Sequence, residues 1–330
     1  MNKIKSIRSI KRTNKVITGI WLCLLTVLSS LSSCSEFIEP SISDDQVILH
    51  SPAAGFETNK YSQSFWWEEV ENARTYRLQV VSPSFDNVGF LALDTLISSN
   101  KFNFTLEPGV YQWRVRAENS GSETAWVSRT FTIHESSITA QQVQIIGPGA
   151  TLITNQASLN FRWYSLYGAN KYRLQIDTND FADEATMVYN SAGAATELTV
   201  PFTREKVYKW RLRAENDTTE SKWSAVRTFT YDHTPPVKVN LNAPDNNGMV
   251  TSPVALSWIA VSGAKNYQLV IYKTDPSNPY NNTFPLTLTG TSYSFTAGQP
   301  GETLNWKVRA VDEAGNLGEY SERRSFIIQQ

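Results

Sequence analysis

At 330 residues the chain has room for two or three ordinary domains, and 41% hydrophobic residues are enough to give each a core. Charged residues at 18% are too few for a disordered chain or a dedicated nucleic-acid binder. The formal net charge of -1 hides an asymmetry: the first 33 residues hold six basic and no acidic residues, which leaves 24 basic against 31 acidic beyond them. That mildly acidic remainder argues against nucleic acid, and against an anionic lipid surface, as partners.

The first predicted element is a leader. "MNKIKSIRSIKRTNK" is basic, and "VITGIWLCLLTVLSSL" is an apolar run of sixteen residues. A membrane-spanning helix needs roughly 20. The run ends in "LSSC", Leu31 to Cys34. An ordinary signal peptide or a retained anchor is the plainer reading of such a stretch. The whole pattern resembles a bacterial lipoprotein leader, in which an aliphatic and two small residues precede a cysteine that is acylated and becomes the mature N-terminus. The resemblance implies a signal peptide over 1–33, lipidation at Cys34 and a membrane partner reached through that anchor. Ser35 follows the cysteine. By the same resemblance this implies the outer membrane, with the cell-surface side favoured over the periplasmic one. The other cysteine, Cys23, lies inside the leader, so the mature chain has no disulfide open to it. Residues 34–46 are read as the lipidated cysteine and a tether. "SEFIEPSISDDQ" would span about 40 Å fully extended, at roughly 3.3 Å per residue.

Beyond the tether the sequence repeats itself. "FWWEEVENARTYRLQV" from Phe65 aligns with "FRWYSLYGANKYRLQI" from Phe161 and "LSWIAVSGAKNYQLVI" from Leu256. The shared skeleton is a Trp, an Ala, a Tyr and a Leu: Trp67, Ala73, Tyr76, Leu78; Trp163, Ala169, Tyr172, Leu174; Trp258, Ala264, Tyr267, Leu269. Each unit opens with a proline (Pro52, Pro148, Pro244) at a spacing of 96 residues. Each carries a second phrase: "YQWRVRAEN" from Tyr111, "YKWRLRAEN" from Tyr208 and "LNWKVRAVD" from Leu304. A period near 96 is too long for a solenoid and suits an independent domain. Within each unit the apolar residues alternate. Tyr111, Trp113, Val115 and Ala117 fall on one face, and Gln112, Arg114 and Arg116 on the other, as in a half-buried antiparallel strand. Turn-rich segments such as "SPSFDN" and "DEAGN" divide the strands. The fold class expected is all-β: three tandem β-sandwiches after the leader.

On these residues each unit resembles a fibronectin type III domain of the bacterial surface-protein kind. That family places a Trp on its second strand, a Tyr on its third and a Y-x-W-x-V-x-A phrase on its sixth. "LEPGVY", Leu106 to Tyr111, resembles the family's tyrosine corner, in which the Tyr hydroxyl ties back to upstream backbone. Leu304 stands where Tyr111 and Tyr208 stand, so that tie is expected to be missing from the third unit, with some loss of local rigidity. The domains are placed at 47–134, 142–231 and 236–329, immunoglobulin-like in architecture. "HESSITAQ" and "YDHTPPVK" join them, and Pro235 and Pro236 are expected to stiffen the second joint.

Chemistry-bearing patterns are few. His50, His134 and His233 sit at three different domain edges without metal-ligand spacing. "VDEAGNLG" lacks the spacing of an EF-hand loop and reads as a turn. No nucleophile, phosphate-binding or dinucleotide motif is present. No catalytic residue, metal or cofactor is assigned, and the chain is read as not an enzyme. A row of cations recurs: Arg114 and Arg116, Arg211 and Arg213, then Lys307 and Arg309. With Trp126 and Trp223 it resembles the tryptophan-arginine ladder of cytokine-receptor fibronectin modules. Its presence in every unit favours a structural ladder over an anion site. Aromatics that break the repeat are better ligand candidates: Trp66, Tyr164 and Tyr280. Each could instead fill a domain-domain contact. "DTL" at Asp94 and "DTT" at Asp217 resemble a three-residue O-glycosylation signal of Bacteroidota. The function expected is a non-catalytic binding or spacer lipoprotein of the outer membrane or cell surface, with glycan capture as one form of it. The alternative is an adhesive or structural protein with a protein partner. Glycan capture predicts an exposed Trp66 or Tyr280 on a concave surface. Adhesion predicts a flat apolar patch or an open sheet edge.

Overall fold

The computed structural model describes residues 39–329. The leader and Cys34 lie outside the described residues. Eight strands form the first domain: β1 (Leu49–Ser51), β2 (Phe56–Thr58), β3 (Ser62–Trp67), β4 (Thr75–Pro83), β5 (Val88–Ile97), β6 (Lys101–Thr105), β7 (Gly109–Glu118) and β8 (Val127–Ile133). The second has β9 (Ile145–Gly147), β10 (Thr151–Thr154), β11 (Ser158–Trp163), β12 (Lys171–Asp177), β13 (Tyr189–Gly193), β14 (Glu197–Pro201), β15 (Lys206–Glu215) and β16 (Arg227–Tyr231). The third has β17 (Leu241–Ala243), β18 (Gly248–Val250), β19 (Val254–Trp258), β20 (Ala264–Tyr272), β21 (Leu286–Leu288), β22 (Ser292–Phe295), β23 (Thr303–Asp312) and β24 (Arg324–Ile328).

The same two sheets are built three times. In the first domain a three-stranded sheet runs β1-β3-β6, and a five-stranded sheet runs β2-β8-β7-β4-β5. The second and third domains repeat both orders strand for strand. The first strand of the sandwich is split, so that its second piece, β2, pairs parallel to β8 in the opposite sheet. The fold is one two-sheet β-sandwich built in three tandem copies.

Alternation decides which face is core. Along β7, Tyr111, Trp113, Val115 and Ala117 are buried while Gln112, Arg114 and Arg116 are only partly covered. The β15 and β23 strands repeat the pattern. Trp67 packs against Tyr76 with ring centroids 5.5 Å apart, Trp163 against Tyr172 at 5.8 Å and Trp258 against Tyr267 at 5.6 Å. Each such large aromatic buries some 150–250 Å². Each tyrosine hydroxyl also accepts a backbone N–H from the loop after its partner's strand: Val70 at 2.8 Å, Leu166 at 2.9 Å and Val261 at 2.9 Å. That loop turns through a left-handed residue, Asn72, Gly168 or Gly263, just before the repeated alanine. A second repeated tie closes the sandwich. Arg129 donates to the His50 carbonyl, Arg227 to Pro148 and Arg324 to Pro244.

Two expectations about connecting segments change. The stretch read as a free tether is docked from Glu39 onward: Ile42 is fully buried in the first core, and its N–H donates to Ser122 Oγ at 2.9 Å. An isoleucine in a polar segment finds a pocket once the sandwich exists. The first joint, not the proline-rich second, carries the apolar contacts. Ile138 and Gln141 of the first linker are buried, and the first two cores merge into one cluster while the third stands apart.

Candidate functional site

The cation row is spent on structure. The Arg114 guanidinium lies 4.0 Å from the Phe85 ring and 4.3 Å from Trp126, and Arg116 lies 4.8 Å from Trp126. In the second domain Arg211 lies between Phe181 at 4.2 Å and Trp223 at 4.3 Å, and Arg213 lies 4.6 Å from Trp223. In the third, Lys307 and Arg309 share Tyr320 at 4.3 and 4.6 Å. Several of their donors are bonded within the domain as well. Arg114 bonds Gln79, Arg116 bonds Glu118 and Glu123, Arg211 bonds Gln175, and Arg213 bonds Glu215 and Glu220. Burial, then the neighbouring Arg116, pushes the Arg114 pKa below its usual value; Arg211 is lowered by burial and then Arg213. Phe85 and Phe181 went unnoticed in the sequence because they sit in turns. Their spacing of 96 residues, the repeat period, was the signal that could have found them. Phe181 is aimed by a buried Asp177, whose Oδ2 accepts from the N–H groups of Asn179 at 3.0 Å and Phe181 at 2.7 Å.

The three aromatics that break the repeat have three different surroundings. Tyr164 is half-buried at the first joint, edge-on to Phe104 of the first domain at 5.3 Å. Beside it Tyr167 meets Tyr61 at 5.9 Å, and Gln144 accepts from Thr105 Oγ1 at 2.8 Å. Gln141 accepts from Tyr61 N–H at 3.1 Å and donates to the Asn59 carbonyl at 2.7 Å. Tyr280 is also half-buried. Its ring stands edge-on to core Phe295 at 5.3 Å, and its hydroxyl donates to the Ala297 carbonyl at 2.8 Å. Both are thus engaged within the protein. Trp66 alone is open, 44% exposed on the outer face of β3, opposite Lys101. One face of its indole stacks on His50 at 4.3 Å, and His50 Nε2 lies 3.0 Å from Glu68 Oε1.

His134 pairs with Glu57 and His233 with Glu205, and among the described residues no group of His, Cys, Asp or Glu has metal-holding geometry. Of the two O-glycosylation-like threonines, Thr218 is exposed in a loop. Thr95 lies opposite core Leu78 and faces inward.

A feature missed in the sequence is the edge strand β5. It ends its sheet and is ten residues long, where its counterparts β13 and β21 have five and three. Val88, Phe90, Leu91 and Leu96 are each between 51% and 55% exposed. Its one charge, Asp94, is occupied by Arg77 at 2.9 Å and Gln79 at 2.9 Å. Those contacts hold the Asp94 carboxyl below the usual range, the Arg77 bond first. Pairing with β4 is regular from Leu93 to Ile97 and shifts register on either side of Leu91 and Phe90. The alternation signal was hidden because bulges break the period of two.

No protein-family model matches the chain. A poly(3-hydroxybutyrate) depolymerase of Delftia acidovorans is 36% identical over 96 residues, 28% of this chain. The chain spans about 18% of the length of that curated relative. Among solved structures, the FN1-FN3 domains of chicken CNTN1 align over 86% of this chain and 98% of theirs, at 14% identity and a TM-score of 0.42. The fibronectin(III)-like modules of Clostridium thermocellum CbhA align over 57% of this chain and 94% of theirs, at 13% identity and a TM-score of 0.37.

Proposed function

We propose that the chain is a non-catalytic lipoprotein of the bacterial outer membrane that holds a protein partner on the open β5 edge of its first domain, with the other two domains projecting beyond it. The single observation that carries this reading is β5 itself. An edge strand presents unpaired N–H and C=O groups to any extended segment, and most proteins guard such edges with charge or shortness. Here the strand is long and apolar, and its carboxylate is neutralised from within the sheet. A partner strand adding beside β5 would gain main-chain hydrogen bonds, with Leu91 and Leu96 supplying apolar contact. Bulges limit the regular stretch to about one short strand, which suits an edge that binds a partner without unlimited stacking. The depolymerase likeness covers about one repeat length and lends no activity to this chain.

Polysaccharide capture has less support, because Tyr164 and Tyr280 are engaged and one face of the Trp66 indole is already stacked on His50. The test is photo-cross-linking on intact cells from a benzophenone side chain at Leu91. The expected result is one dominant protein adduct, lost when Leu96→Lys is added. Absence of an adduct, together with retardation of residues 35–330 in polysaccharide gels that Trp66→Ala abolishes, would reverse the weighting.

A further inference from the structure

The base of the first domain is the end at which the chain enters. The Glu39 carboxylate accepts from the Arg74 side chain and from Ser120 N–H at 2.8 Å and Oγ at 2.7 Å, and the Pro40 carbonyl accepts from Asn119 Nδ2 at 2.9 Å. Arg74 follows β3, and Asn119 and Ser120 follow β7, so both loops lie at one end of the sandwich. Cys34 is five residues before Glu39, a reach of at most about 17 Å. Whatever Cys34 is attached to therefore lies close under these loops.

The repeat shows what this end does elsewhere. In the second domain, Gln144, Tyr164 and Tyr167 meet the preceding domain, through Thr105, Phe104 and Tyr61. By the period of 96, their counterparts in the first domain are Ile48, Glu68 and Glu71. Ile48 is 51% exposed, and its carbonyl accepts from Glu68 N–H at 2.9 Å. Trp66 sits two residues from Glu68 and is joined to it through His50. The end by which the second domain rests against a protein is, in the first domain, left exposed among the described residues. It is rimmed by an exposed isoleucine and an exposed tryptophan.

We propose that this rim, Trp66 with Ile48, contacts the headgroup layer of the membrane in which the chain is anchored. The proposal rests on the lipid-anchored reading of Cys34. An indole suits the boundary between headgroups and acyl chains, since it has an apolar body and a polar N–H. Lys101, across from Trp66, has a stem long enough to lie along the apolar surface while its ammonium reaches phosphate. Glu69, Glu71 and Glu123 lie on the same base loops. They make an overall neutral headgroup layer a better fit than an anionic one.

Cys34 is the one cysteine beyond the leader, so the test couples residues 34–330 through it to a maleimide phospholipid. The vesicles are phosphatidylcholine with brominated acyl chains. The expected result is a bromine-quenched component of tryptophan emission that disappears in Trp66→Phe and shrinks in Ile48→Ser. Trp66 is outside the core, so the variant keeps its fold. Equal quenching in wild type and Trp66→Phe, or none in either, would overturn the proposal. The coupling is chemical, so this result does not depend on acylation in the cell. That reading is tested separately by the mass of the protein extracted from membranes.

Discussion

The Tyr280 hydroxyl donates to the Ala297 carbonyl in the one domain whose seventh strand carries Leu304 where the others carry tyrosine. In the first two domains Tyr111 ties to the Glu107 carbonyl at 2.9 Å and Tyr208 to Arg204 at 2.6 Å. Leu304 holds the same register, opposite Phe326 as Tyr111 is opposite Phe131. The long loop of the third domain thus returns a tie to the corner from a different direction. In isolated residues 236–329, which have their own core, Tyr280→Phe should cost about 1 kcal/mol for the lost hydrogen bond. Tyr280→Ala should cost about 2 kcal/mol, because the contact with Phe295 goes too. A urea midpoint unmoved by Tyr280→Ala would remove this role.

Trp113 is fully buried, and its indole N–H meets no protein acceptor. Its value to the fold is therefore volume. Trp113→Ala should cost roughly 3–5 kcal/mol, and Trp113→Phe much less. The first two domains share a core cluster, so the measurement belongs in residues 39–231, by denaturant midpoint.

Burial, with Glu107 nearby, raises the Tyr111 pKa to about 12. An unfolded tyrosine titrates near 10. The folded state therefore holds its proton longer. The resulting stability is complete below about pH 10 and is lost as pH rises through 12. Thermal melts of the same two-domain fragment between pH 9 and 12 should fall, and Tyr111→Phe should flatten the fall while starting lower. An equally steep loss in the variant would assign it to other groups.

Glu215 is nearly buried, yet its pKa is below the ordinary value. Burial would raise it, but hydrogen bonds from Arg173 at 2.6 Å and Arg213 at 2.8 Å outweigh that. Stability from this group is complete above the ordinary glutamate range, and it is lost as pH falls through the lowered value. Glu215→Gln should cost about 2 kcal/mol at pH 7. The gap between variant and wild type should then narrow on acid titration of the melting midpoint below pH 4. A gap that stays constant would mean the carboxylate charge is not the stabilising feature.

Among the described residues, the first joint is held by Phe104–Tyr164 and Tyr61–Tyr167 ring contacts, and the second by a side-chain bond from Asn316 to the Asp232 carbonyl at 3.0 Å. Spin-label distances across the first joint should be narrowly distributed, and broader across the second despite Pro235 and Pro236. Tyr164→Ser should widen the first. Equal widths in the wild type would contradict this account.

Sequence alone determined the repeated sandwich, its core tryptophans and tyrosines, and the cation ladder. Those features follow from alternation and period, which are properties of the chain read along itself. The tyrosine corners of the first two domains and the absent one at Leu304 were legible for the same reason. Tertiary structure decided the rest. Whether Trp66, Tyr164 or Tyr280 faced solvent depended on what another loop or domain placed against each, and such contacts leave no periodic trace. Ile42 became core, and Phe85 and Phe181 became rungs, only once distant strands enclosed them. The openness of β5 is a fact about sheet order, since a strand is an edge only when nothing is paired beyond it.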